Sequence, residues 1–93
     1  MATRESMDEL RQEVSDTIRY AEEQYKQSSL QQHYNNEEYT QALQKLEAAY
    51  QDVAKIAHSA SAQQREQLHR MRLQIQQMQN NMILQETRGG EQF

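Results

Sequence analysis

The sequence predicts an all-α protein, an antiparallel three-helix bundle, and three observations carry that prediction. Proline is absent and the only glycines are Gly89 and Gly90, so nothing interrupts helix before the C-terminal end. Gln, Glu, Ala, Leu and Arg, all good helix formers, are abundant. Large apolar residues recur at steps of three and four in separate stretches, the period of a helix with one buried face. The expected elements are helices at about 6–28, 36–58 and 61–87 with a loose tail at 88–93, all within a single domain spanning 1–93.

The first helix carries the stripe Met7, Leu10, Val14, Ile18, Ala21 and Tyr25. Its spacing averages the helical repeat of about 3.6 residues. Ser6-Met7-Asp8-Glu9 has the form of a capping box, in which a serine hydroxyl and a glutamate satisfy the free amides of a helix start. The pattern lapses through "QSSLQQHYNN".

The second helix opens on another capping box, Asn35 to Glu38, and continues with Tyr39, Leu43, Leu46, Tyr50, Val53 and Ala57. These alternate in steps of four and three, the coiled-coil spacing of about 3.5. A flanking seam of Ala42, Ala49 and Ile56 widens the apolar face, which marks this helix as the central one.

The third stripe is Leu68, Met71, Ile75, Met78 and Met82. Between it and the second helix lies "HSASAQQ", where Ser61-Ala62-Gln63-Gln64 again fits a capping box and the apolar register slips. A tight turn is the expectation there. The alternative is a helical hairpin with one long continuous second helix, assembled as a dimer, since serine costs an interior helix position only a few tenths of a kcal/mol. Gly89-Gly90 is expected to end the third helix.

Ninety-three residues allow one small domain. Cysteine is absent, which excludes a disulfide framework and thiol chemistry. The longest run of large apolar residues is Met82-Ile83-Leu84, far short of the roughly 20 that a membrane span needs. Together these lead to the expectation of a cytoplasmic protein with no membrane role. The aliphatic core is sparse: Leu, Ile, Val and Phe total 14 residues. So few large side chains leave a lone bundle marginal, which favours a homodimer.

The basic residues of the third helix raise the question of nucleic acid. Arg65, His69 and Arg72 fall on one line, with Arg70 on the other flank of the apolar stripe. A nucleic-acid helix needs a denser basic footprint than this, because affinity comes from neutralising several backbone phosphates, and the chain has net charge −4. The seven acids of the first helix offer the arginines a complementary neighbour instead, and no nucleic-acid partner is expected. Glu66-Gln67-Leu68-His69 has the Glu-x-x-His spacing of di-iron bundles, but occurs once and directs Glu66 away from the core stripe. No metal, cofactor or catalytic residues are therefore assigned. Adjacent acids such as Glu22-Glu23 diverge by about 100° and read as solvated faces. Tyr25, Tyr39 and Tyr50 read as core members with a wet hydroxyl.

The candidate interface residues are those that leave the stripes. Tyr20 and Tyr34 lie off them, and Leu73 and Leu84 lie opposite the core stripe of the third helix with Ile83 on its shoulder. Leu73 and Leu84 are eleven residues apart, three helical turns, so they share one line.

Three stretches, "YAEEQY", "HYNNEEYTQA" and the longer "QQREQLHRMRLQIQQMQNNMI", resemble the small YtzC-like family of uncharacterised Bacillus proteins. The resemblance covers nearly the whole chain. It implies a cytosolic protein of a spore-forming bacterium and brings with it no activity or site residues. The expected function is that of a non-enzymatic structural or interaction protein that self-associates, with a further helical protein as a possible partner. The alternative is a small regulatory module, an inhibitor or phosphatase of a signalling protein. Ser6-Met7-Asp8-Glu9-Leu10 only partly matches the segment used by phosphatases of the Spo-zero-E type, lacking the aspartate after the leucine.

Overall fold

Helix formers without a breaker produce three long helices. The computed structural model describes residues 2–30 and 36–91, and its elements are α1 (Arg4–Leu30), α2 (Asn36–Ala57) and α3 (Ala62–Glu91). They form an up-down-up bundle, a rod of 51 × 19 × 16 Å. Its long dimension follows from α3, whose 30 residues span about 45 Å at a rise of about 1.5 Å each.

The helix ends show where local chemistry decides and where it does not. α1 starts three residues earlier than the Ser6 capping box implies. Thr3 Oγ1 accepts the Ser6 backbone N–H at 3.0 Å and the Thr3 hydroxyl donates to Ser6 Oγ at 2.7 Å. Thr3 is therefore the cap, and Ser6 is the third residue of the helix. At α2 the expected capping residue, Asn35, lies outside the described residues.

The turn between α2 and α3 is real, and the continuous-helix alternative is excluded. His58, Ser59 and Ala60 donate their amides to Lys55, Ile56 and Ala57, each three residues back, at 3.3, 3.1 and 3.4 Å. Those tightened bonds close the last turn of α2. Ser61 and Gln64 then make the reciprocal box: the Ser61 N–H donates to Gln64 Oε1 at 2.9 Å, and the Gln64 N–H to Ser61 Oγ at 3.2 Å.

At its far end α3 does not stop at Gly89. It runs through both glycines to Glu91, and neither has a positive φ. Glycine costs a helix about 1 kcal/mol relative to alanine but ends it only when the chain turns into the left-handed region.

Contacts between helices fix their directions along the rod. Arg11 Nη2 donates to Gln67 Oε1 near one end of the α1–α3 pair, and Gln85 Nε2 donates to Ser28 Oγ near the other. The sequence separations, 56 and 57, are nearly equal at the two ends, the sign of a parallel pair. Across the α2–α3 pair the separation falls from 43 at Tyr39–Met82 to 32 at Glu47–Gln79, the sign of an antiparallel pair.

The core follows the stripes with one revision. Met7, Leu10, Val14 and Ala21 of α1 are buried, as is the whole α3 stripe from Leu68 to Met82. In α2 the supposed flank is the centre: Ala42 and Ala49 are fully buried together with Tyr39, Leu46 and Val53, while Leu43 and Tyr50 are half-buried. The central helix shares a larger interface with each neighbour than they share with each other. The residues pointing between its two neighbours have least room, and alanine lets the three axes converge there.

Tyr39 also departs from expectation. Its hydroxyl is not wet: it donates to the Met82 carbonyl at 2.6 Å inside the core. Complementary charge between α1 and α3 is not realised as ion pairs among the described residues. The two ion pairs there, Asp8–Arg11 and Glu66–Arg70, lie within single helices and are exposed. Such pairs contribute little to stability.

Candidate functional site

The apolar residues that folding leaves in water gather on one helix. Among the described residues the exposed large hydrophobics are Leu73, Ile83 and Leu84, at 50%, 51% and 56% exposure. All three belong to α3. Its core stripe turns inward to α1 and α2, and Leu73 and Leu84 stand diametrically opposite that stripe. Gln77 and Asn80, both exposed, occupy the turns between them, and Ile83 lies on the shoulder toward α2.

On the other shoulder of α3 the surface dips into a groove against α1. Val14, Ile18, Met71 and Met78 floor it, and its walls include Arg11, Arg19, Gln74, Gln77 and Asn81, enclosing a volume of about 520 Å³. Gln77 belongs both to this wall and to the turns between the leucines, so groove and leucine line form one continuous surface. An apolar floor with a few polar groups at its edge is the usual form of a binding surface. The floor residues read from sequence simply as core; that they border an open groove follows from how far apart α1 and α3 sit.

Of the remaining sequence-derived candidates, Tyr20 is not a free contact residue. It is half-buried against the core, and Lys45 Nζ lies 4.4 Å from its ring centroid. Position 20 falls on the α2 side of α1, so the lysine of the antiparallel neighbour covers it in a cation–π contact. Tyr34 lies outside the described residues. Glu66 is engaged by Arg70 at 3.4 Å and His69 by Arg72 at 3.2 Å, and both are exposed on α3. Among the described residues no three His, Cys, Asp or Glu side chains gather as metal ligands. No helix of the described residues is long and apolar enough to cross a membrane.

A carboxyl pair escaped sequence reasoning altogether. Glu13 of α1 and Asp52 of α2 line a small cleft with Ser6, Glu9, Leu10, Lys55 and Ile56. A hydrogen bond with Asp52, then burial, then the Asp52 charge push the Glu13 carboxyl up from 4.5 to about 7. The two acids are far apart in sequence, and only the antiparallel register of α1 and α2 brings them together. Attention to neighbouring acids alone, such as Glu22-Glu23, misses such pairs.

Comparison with known proteins gives this surface relatives but no chemistry. The family model described as "Protein of unknown function (DUF2524)" matches residues 1–84. The chain is 54% identical over 85 residues to the "Uncharacterized protein YtzC" of Bacillus subtilis (strain 168), covering 91% of this chain and 94% of that protein. No solved structure matches.

Proposed function

This chain belongs to the DUF2524 family of proteins of unknown function, and on that premise we propose that it is a small helical interaction protein that assembles with itself through the outer face of α3. The carrying observation is that the exposed large hydrophobics among the described residues all lie on that helix, with Leu73 and Leu84 on one line. A line with two equal residues suits a two-fold axis. If two α3 helices cross antiparallel with the axis midway along this line, each Leu73 meets Leu84 of the partner subunit, and the Gln77 and Asn80 amides face each other between them. The reading needs no enzyme activity; it uses apolar area and amide hydrogen bonds alone.

Both leucines are already half-covered, so hiding the rest contributes about 1 kcal/mol each. Four leucines per dimer then supply roughly 4 kcal/mol, near the lower bound of the cost of association. Coverage of the adjoining α1–α3 groove therefore has to supply the net affinity, about 5.5 kcal/mol for a Kd of ~100 µM. Sedimentation equilibrium tests this. The wild type should be dimeric at ~100 µM, and Leu73→Gln with Leu84→Gln should return it to monomer with its far-UV circular dichroism unchanged. A wild-type monomer at that concentration refutes the proposal. Unfolding of the double variant would instead place those leucines in the core of the single chain.

A further inference from the structure

A second surface, on the α2 side of α3, has chemistry of a different kind. Near the turn between the two helices, Val53, Ala54, Ala57 and Leu68 floor a cleft of about 260 Å³ rimmed by Arg65, His69 and Arg72. The three rim residues fall at i, i+4 and i+7, within ~60° of arc on α3, so one line of the helix supplies all of them. Opposite them α2 contributes only Val53, Ala54 and Ala57 to the lining, side chains with no charge and little reach.

Among the described residues the guanidinium groups there are left without a counter-charge. The ion pairs among the described residues involve Arg11 and Arg70, whereas Arg65 and Arg72 have no carboxylate within ion-pair distance. In a chain of net charge −4, two unmatched arginines on one small cleft form a local positive site. Arg72, half-buried, donates from Nη2 to His69 Nδ1 at 3.2 Å. Arginine has no acceptor, so Nδ1 must carry the lone pair and the proton of a neutral His69 sits on Nε2. The cleft is thus rimmed by two arginines and a histidine, one arginine N–H being engaged by the His69 ring, and no carboxylate lines it. Arg65 also lies one turn inside the start of α3, where the helix dipole is positive.

We propose that this cleft binds a phosphate monoester on a small apolar body. Three donor-bearing side chains suit the three terminal oxygens of a dianionic tetrahedral group better than the two of a carboxylate, and guanidinium forks match phosphate oxygens two at a time. The alanine floor accepts the apolar part. The volume holds a ligand of a few carbons, below the ~300 Å³ at which drug-sized sites begin.

Phenyl phosphate is the probe, titrated into the full-length protein and followed by amide chemical shifts. Saturable shifts confined to Ala54, Ala57, Arg65, His69 and Arg72, with Kd on the order of 1 mM or tighter, are expected. Arg65→Gln with Arg72→Gln should weaken binding at least about tenfold with helical content unchanged, whereas Arg70→Gln, outside the cleft, should not. Inorganic phosphate should bind at the same residues more weakly, and benzyl alcohol, which lacks the anion, should not bind. Equal affinity in the double variant, or shifts spread over the surface, would overturn the proposal. So would tighter, salt-sensitive binding of duplex DNA at the same arginines, which would identify a polymer as the ligand.

Discussion

Replacing Tyr39 with phenylalanine isolates one interaction that joins the start of α2 to the far part of α3. The ring is 2% exposed and its hydroxyl donates to the Met82 carbonyl at 2.6 Å, with the Met82 side chain fully buried beside it. Tyr39→Phe keeps the ring and removes that donor. Met82 lies inside α3, so its carbonyl retains the helix bond from the amide four residues on, and no acceptor is stranded. The loss is then the net value of one hydrogen bond, about 1 kcal/mol within a range of roughly 0.5–1.5. For a domain of this size that lowers Tm by about 4–8 °C. Urea unfolding followed by far-UV circular dichroism should show a lower midpoint with the slope unchanged. Tyr50→Phe is the control: that ring is half-buried, and its change should stay within about 0.5 kcal/mol. If Tyr39→Phe costs no more than Tyr50→Phe, the Tyr39 hydroxyl is solvated and does not join the two helices.

Two further outcomes follow from the turn and from the carboxyl pair. Ser61→Ala should cost about 0.5–2 kcal/mol by removing the hydroxyl half of the reciprocal box. Gln64→Ala, which removes the acceptor of the residue-61 N–H and the donor to the Ala2 carbonyl, should cost more on top of it, but less than its loss measured alone. Fully additive losses in the double variant would show that the box does not act as a unit. Glu13 has its pKa raised in the folded state, so its stabilising contribution is complete below about 4.5 and is lost as pH rises through about 7. Between pH ~5 and ~8 the wild type should therefore lose stability relative to Glu13→Gln, which keeps a donor for Asp52 and cannot ionise. Glu13 is largely exposed and solvent screens the pair, so the sign of that difference is what urea midpoints at the two pH values test. A constant difference across the range would mean that Glu13 and Asp52 do not share a proton.

Periodicity alone determined much of this protein. The α1 and α3 stripes, the central place of α2 and the Ser61 box are local or nearly local: each depends on residues within a turn or two, where helical geometry is fixed by the backbone. The exposure of Leu73 and Leu84 was legible for the same reason, since a residue opposite a buried stripe has nowhere else to point. Thr3 shows the limit of local reading, because two hydroxyls within three residues both suit a helix start and the earlier one takes the role. Tertiary structure decided whatever depends on distances between helices. It made Ala42 and Ala49 the centre of the core, brought the Tyr39 hydroxyl to a carbonyl 43 residues away, and set Lys45 over Tyr20. It also opened the α1–α3 groove, paired Glu13 with Asp52 and set Arg65 and Arg72 against a floor without charge. A helical repeat specifies which side of each helix faces inward. It leaves open how far apart the axes settle and which turn of one helix lies beside which turn of the next, because these depend on how all three sets of side chains pack at once.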